Sequence, residues 1–279
     1  MSIERLNLLS DTHLLRQPAA VLCDVDRTLL RHDHSLPEDV ATAARDLPFP
    51  LILASARSPI GLHHVHDRTG AEDLAVCFNG AWIGNPQTRQ PLYALPLPRD
   101  AAEFAFSLIL ELGGAPAWFG IDHAVALTTQ ADCVGQRIKV TGGPLRLVDH
   151  ASEISGTPFK LLATVDPDRI AEISAALGRT LRDVAYVAQS GPGLIEIVHP
   201  EVSKGVALYK VAEILGVPPE RLAAAGDSSN DIEMLRAAGL SIVPDNASRE
   251  VKKFADVVVP HCDEGGIAHG FRWLATLPE

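Results

Sequence analysis

Ala19-Ala20-Val21-Leu22-Cys23-Asp24-Val25-Asp26-Arg27-Thr28 is the stretch that decides the fold. Its apolar residues run without interruption and stop abruptly at Asp24. Continuous apolar runs of this kind suit parallel strands buried on both faces. Residues 50–54, 222–225, 240–243 and 257–259 have the same character. Between such runs lie helical patterns with start and stop signals. Ser203 is placed to cap a helix whose Leu208, Val211, Ala212 and Leu215 recur at helical spacing, and Gly216 ends it. Gly239 similarly follows the stretch 231–238. This alternation of strand and helix predicts a doubly wound α/β core with a mainly parallel sheet.

The middle of the chain reads differently. Prolines and glycines become more frequent between residues 84 and 191, and 116–127 and 157–165 are strand-like. Asp166 and Pro167 mark the start of a helix expected to run to residue 177. The mixture predicts an α+β module, residues 85–190, inserted into a discontinuous core of residues 1–84 and 191–279. Residues 1–17 precede the first core strand and receive no role.

The 279 residues are 47% apolar and 21% charged, ordinary for a soluble globular protein. The formal net charge of -11 repels polyanions, so neither nucleic acid nor an anionic membrane surface is expected as a partner. A small phosphorylated metabolite remains compatible if a metal ion and a lysine reverse the sign inside one pocket. Glu4, Arg5, Asp11 and Arg16 interrupt every apolar run before residue 18, which argues against a secretory signal. No apolar stretch is long enough to predict a membrane span. Cys23, Cys77, Cys133 and Cys262 are scattered without a CxxC pair, so reduced thiols in a cytoplasmic protein are expected. Monomer and homodimer are both left open.

In an extended segment Asp24 and Asp26 face one side while Val25 packs away. They stand at the carboxyl end of a strand, where open α/β sheets bind their ligands. Two such carboxylates repel unless a cation lies between them or one holds a proton. Magnesium, which favours carboxylate and water oxygens, meets that need. One carboxylate can then attack phosphorus while the other moves protons. Taken alone, the pair reads equally well as a turn or helix cap. Ser55 ends the run 50–54 with a hydroxyl suited either to a phosphoryl oxygen or to a helix cap. Lys204 stands at a helix start, where a cation gains nothing from the macrodipole. Gly226-Asp227-Ser228-Ser229-Asn230-Asp231 adds a third carboxylate after the run 222–225.

In this order the four segments resemble the haloacid dehalogenase superfamily of phosphatases, most closely its Cof-type branch. The DxDxT motif is Asp24 to Thr28, followed by the hydroxyl of Ser55, then Lys204, then the Gly-Asp segment from Gly226. Further echoes are Ser55-Ala56-Arg57, Asn79-Gly80-Ala81, Leu194-Ile195-Glu196-Ile197, Asn246-Ala247 and Asp263-Glu264-Gly265-Gly266-Ile267. The resemblance implies that Asp24 attacks the phosphoryl group and that Asp26 protonates the leaving oxygen and later activates water. It further implies Mg2+ held by Asp24, Asp227 and Asp26, the last through its main-chain carbonyl. Thr28, Ser55, Lys204 and Asn230 would hold phosphoryl oxygens, with Arg57 and Asp231 supporting them. By position and length, the insert would be the family's cap.

Some positions depart from the pattern. Arg27 stands where glycine is common, Ser55-Ala56-Arg57 replaces Thr-Gly-Arg, and Pro244-Asp245 replaces a small or Met-Gly pair. Arg27 reads either as a surface cation or as one that reaches substrate, and no catalytic group is lost. His63, His64 and His66, with His32 and His34, raise the idea of a zinc site. The first three lie on one short predicted helix, where they do not converge on a tetrahedral ion, and solvated histidines are the expectation. Trp82, Trp118 and Trp273 read as packing residues.

The expected activity is hydrolysis of a sugar phosphate or similar phosphomonoester. Intramolecular phosphoryl transfer, as in hexose-phosphate mutases, and a catalytically silent phosphometabolite-binding protein are the competing readings. The insert carries no motif that selects among sugar phosphates, pyridoxal phosphate and phosphoglycosyl compounds.

Overall fold

The fold was analysed in a computed structural model that describes residues 7–8, 16–141 and 143–279. Glu4, Arg5 and Asp11 lie outside the described residues. In chain order the first elements are β1 (Asn7–Leu8), β2 (Ala20–Cys23), α1 (Glu38–Arg45), β3 (Leu51–Ala54) and α2 (Pro59–Thr69). They are followed by β4 (Ala75–Cys77), β5 (Trp82–Asn85) and β6 (Gln90–Ala94). The middle comprises α3 (Arg99–Glu111), β7 (Ala115–Phe119), β8 (Ala124–Leu127), α4 (Ala131–Thr141), β9 (Leu145–Val148), β10 (Lys160–Thr164), α5 (Ile170–Leu181), β11 (Tyr186–Gly191) and β12 (Leu194–Val198). The chain closes with α6 (Lys204–Leu215), β13 (Leu222–Ala225), α7 (Ile232–Ala237), β14 (Leu240–Pro244), α8 (Arg249–Lys252), β15 (Val257–Val259) and α9 (Ile267–Thr276).

The described strands form two sheets. The first has the order β1-β15-β14-β13-β2-β3-β4-β5-β6. From β15 to β4 every pairing is parallel, and antiparallel strands close both edges. Each apolar run read from the sequence is one of these parallel strands. Alternation explains the double winding. Val21, Cys23, Leu51, Leu53, Ala223 and Ala225 join the cluster that holds Val40 of α1, Leu62 of α2 and Phe271 of α9. Their strand neighbours Leu22, Ile52 and Ala224 join the cluster on the other face, with Leu208 of α6, Met234 of α7 and Val251 of α8.

The second sheet runs β11-β12-β10-β7-β8-β9 and is antiparallel except for β8 with β9. One face packs Trp118, Leu161 and Ile197 against Phe106 of α3 and Leu177 of α5. The other face sends Ala117, Phe119 and Leu162 into the cluster shared with the first sheet. Phe78 and Phe159 stack at this seam with centroids 5.2 Å apart. The expected boundaries at 84/85 and 190/191 fall within β5 and β11: β6 extends the first sheet, and β12 belongs to the second. Among the described residues no helix is long and apolar enough to cross a membrane.

The helix expected from Asp166 to residue 177 begins with a tight turn at Pro167–Arg169 and continues to Leu181. The buried series Ile173, Leu177 and Leu181 keeps the helical spacing for a further turn, which is why the helix does not stop earlier. Trp82, Trp118 and Trp273 are buried, as expected of packing residues. α6 matches its sequence reading: Ser203 Oγ accepts from Val206 N at 3.1 Å, and Gly216 ends the helix at φ 67°. Removing that cap by Ser203→Ala should lower the unfolding free energy by about 1 kcal/mol, measured by urea denaturation.

Candidate active site

Three adjacent strands deliver the site. β13, β2 and β3 lie side by side, and at their carboxyl ends stand Asp227, Asp24 and Ser55. The chain winds away from β2 in opposite directions, so this is the switch point where α/β sheets bind ligands. Backbone bonds extend the ladder past the strand ends and pin the site residues: Asp24 N donates to Ala225 O at 2.8 Å, and Ser55 N to Val76 O at 2.9 Å. After Asp24 the chain enters a tight turn over Val25–Leu29, within which Asp26 has extended torsions and Arg27 a left-handed φ of 65°, so Asp24 and Asp26 do not lie on one extended strand as the sequence suggested. A left-handed arginine costs about 1 kcal/mol or more. Its side chain meets partners at once, with Nε 3.7 Å from Asp227 Oδ2 and 3.1 Å from His32 Nε2. Arg27 is thus an exposed cation, as one sequence reading had it, and its guanidinium also faces Asp227.

Lys204, from the start of α6, is 1% exposed. Its Nζ donates to Asp24 Oδ1 at 2.5 Å and to Asp231 Oδ1 at 2.7 Å. The other oxygen of Asp231 accepts from Asp227 N at 3.1 Å and Ser228 N at 3.0 Å. Gly226 makes this packing possible, because a Cβ there would lie 2.4 Å from Asp231 Cγ. Carboxylate oxygens of Asp24, Asp227 and Asp231 lie within 4.8 Å of one another.

The electrostatics follow from burial. Burial opposes the Lys204 ammonium, but Asp231 and Asp24 outweigh it and hold its pKa above the ordinary value. Burial pushes the Asp24 carboxyl well up; Lys204 counters this, while Asp231 and Asp227 add to it. Asp227 is raised to about 6 by burial and by Asp231. Asp26 behaves oppositely. Burial favours its proton, but Arg57 Nε at 2.8 Å, Arg57 Nη2 at 2.5 Å and His34 Nδ1 at 3.0 Å hold it below the usual carboxylate range. The two aspartates thus occupy different electrostatic settings two residues apart. The side-chain cluster contains Asp231 rather than Asp26, whose carboxylate is engaged by Arg57.

The other expected residues have definite places. Ser55 is buried, and its Oγ accepts from Arg57 N at 3.1 Å; the cap of α2 is instead Ser58. Thr28 is 1% exposed, and its Oγ1 has no hydrogen-bond partner among the described residues. Asn230 is exposed and donates to Asn79 Oδ1 at 3.1 Å. His63, His64 and His66 lie along α2, where His63 Nε2 is 2.9 Å from Pro86 O and His66 Nε2 is 3.2 Å from Glu72 O.

Several contacts escaped the sequence reading. Asn246 Nδ2 donates to Asp227 Oδ2 at 3.2 Å and to Arg27 O at 2.9 Å. From the second sheet, Lys160 Nζ reaches Ala56 O at 3.0 Å and Glu196 Oε1 at 2.7 Å. Asn79 Nδ2 donates to Glu196 Oε2 at 2.8 Å, completing a chain to Asn230. The available signal was Lys160 itself, a charge inside the apolar run 159–163. Removing the central cation by Lys204→Ala would strand the buried Asp24 and Asp231. The expected loss is about 3–5 kcal/mol of stability, measured by urea unfolding in the presence of a chelator.

The geometry has counterparts among known proteins. The pattern of the haloacid dehalogenase-like hydrolases matches residues 21–271. A phosphoglycolate phosphatase of Archaeoglobus fulgidus is 26% identical over 262 residues, covering 94% of this chain and 99% of that protein. An HMP-PP phosphatase of Cronobacter sakazakii is 27% identical, covering 90% of this chain and 94% of its own. A solved haloacid dehalogenase-like hydrolase from Bacteroides thetaiotaomicron has the same fold, with a TM-score of 0.85, 21% identity, and coverage of 92% of this chain and 99% of that one. Matched over nearly its whole length, this chain is an enzyme of the haloacid dehalogenase-like hydrolase family.

Proposed function

We propose that the chain is a magnesium-dependent phosphatase that hydrolyses a small phosphorylated metabolite through an aspartyl-phosphate on Asp24. The observation that carries this reading is Asp24 itself: a buried carboxylate at the switch point, held by Lys204 and crowded by two further carboxylates. Three carboxylates share one buried lysine, with the half-exposed Arg27 3.7 Å from Asp227, so the cluster is short of positive charge and burial favours protons on Asp24 and Asp227. The all-oxygen donor set suits magnesium rather than a softer ion. Asp24 and Asp227 would hold it, with the main-chain carbonyl of Asp26, while Asp231 keeps Lys204 in place. When bound, magnesium neutralises the carboxylates and the charge on the transferring oxygens.

The chain's own groups divide the remaining work. A carboxylate oxygen of Asp24 forms a bond to phosphorus as the phosphorus–oxygen bond to the leaving group breaks. Lys204 and the Ser55 hydroxyl neutralise and orient the phosphoryl oxygens. Asp26 serves the leaving oxygen and then takes a proton from the water that attacks the aspartyl-phosphate, freeing phosphate and Asp24. Arg57 and His34 favour the ionised form of Asp26, which suits the second step. For the first step it needs a proton, and His34, 3.0 Å away, is placed to pass one.

The insert would select the substrate, as the relatives' differing named substrates suggest. From the second sheet, Lys160 and Glu196 reach Ala56 and Asn79 beside the site. A panel of phosphorylated metabolites assayed with and without magnesium tests the proposal, with free phosphate measured against isomerised product. Asp24→Asn should reduce release from an aryl phosphate to background, and full turnover by that variant would overturn the assignment. Magnesium must also displace the proton that Asp227 binds near pH 6. The proton that burial favours on Asp24 opposes binding in the same direction, so affinity weakens as pH falls through 6, and calorimetric titration should find at least about tenfold lower affinity at pH 5 than at pH 7.5.

A further inference from the structure

The turn after β15 assembles a second set of metal-capable side chains. His261 is extended, at φ −55° and ψ 146°, and the chain then winds tightly through Cys262–Glu264. This break in backbone direction lets three consecutive residues converge, which consecutive residues on a helix do not. His32, from the loop beyond Arg27, completes the group. His32 Nδ1 lies 3.1 Å from Asp263 Oδ2 and 3.5 Å from Cys262 Sγ. His261 Nδ1 lies 3.6 Å from Asp263 Oδ2 and 3.9 Å from Cys262 Sγ. One ligand atom from each of the four residues falls within 4.8 Å of all the others.

These separations have a scale to be judged against. Tetrahedral zinc, with bonds of about 2.0–2.1 Å to nitrogen or oxygen and about 2.3 Å to sulfur, sets its ligand atoms roughly 3.3–3.6 Å apart. The observed spacings bracket that range. Hydrogen bonding accounts for the contacts of His32 and Asp263, but the buried Cys262 thiol, a weak donor with a single hydrogen, faces two imidazole nitrogens and can donate to only one of them. We propose that His32, His261, Cys262 and Asp263 bind a borderline-soft divalent transition metal, zinc by preference. The two-nitrogen, sulfur and oxygen donor set separates this site from the all-carboxylate cluster, where magnesium is favoured.

Loading would require small local changes. His261 Nδ1 accepts from Asp263 N at 3.1 Å, and His32 Nε2 accepts from Arg27 Nε at 3.1 Å. With the metal on Nδ1 of neutral His32, its Nε2 carries the hydrogen and no longer accepts from Arg27. The sequence reading set His32 beside the wrong histidines, because His261 and Cys262 are far from it along the chain.

The test uses the full chain, titrated with cobalt(II) under saturating magnesium to occupy the carboxylate cluster. One equivalent should bind with a near-ultraviolet thiolate-to-cobalt band and the visible bands of four-coordinate cobalt, and zinc should displace it. Cys262→Ser should abolish the thiolate band. His32→Ala and His261→Ala, at partly exposed positions that spare the buried thiol, should each weaken cobalt binding about tenfold or more. Circular dichroism confirms that each variant is folded. Failure to bind cobalt, binding without the thiolate band, or a band unaltered in both histidine variants would overturn the assignment. None of these outcomes depends on turnover at Asp24.

Discussion

The ammonium of Lys204, buried between Asp24 and Asp231, is the interaction on which the site depends. It ties α6 to the ends of β2 and β13 and offsets part of the cost of burying the Asp24 carboxylate. Ion pairs of this burial rarely improve stability over an apolar core, since desolvating each ion costs several kcal/mol. The pair is better understood as positioning: it fixes the location of one Asp24 oxygen while the rest of the cluster remains short of positive charge. Asp231 takes part twice, with one oxygen on Lys204 and the other on the backbone that begins the loop to α7.

Much of this was legible in the sequence, for a physical reason. Strands buried on both faces must be apolar throughout, so β2, β3, β13, β14 and β15 announce themselves without an alternating pattern. Polar residues at their ends then mark one rim of the sheet. Side-chain direction beyond that rim was not legible. Asp24 and Asp26 are two residues apart, yet the chain begins to turn between them, and one meets a lysine while the other meets an arginine and a histidine from different loops. Partners such as His34, Asn246 and Lys160 come from distant parts of the chain, and local pattern carries no information about their approach.

The second sheet contributes more than a cover. Lys160 and Glu196 sit on neighbouring strands β10 and β12 and remain paired to one another wherever that sheet lies. Their other partners, Ala56 O and the Asn79 amide, belong to loops of the first sheet. The pair therefore satisfies its remaining hydrogen-bonding capacity only when the two sheets meet, so the seam is polar and specific beside the apolar stack of Phe78 and Phe159.

Positions 27 and 226 flank the same cluster, and they constrain descent differently. At position 27 the demand is torsional: arginine bears a left-handed φ of 65° and is partly repaid by its contact with Asp227. At position 226 the demand is spatial, since any Cβ would enter the Asp231 carboxyl group. A lineage diverging from this chain can exchange the first residue for glycine, asparagine or another side chain at the cost of some strain. It cannot exchange the second without dismantling the lysine pair. Variation among descendants should accordingly accumulate at position 27 and be absent at 226, two neighbours in space evolving under unlike rules.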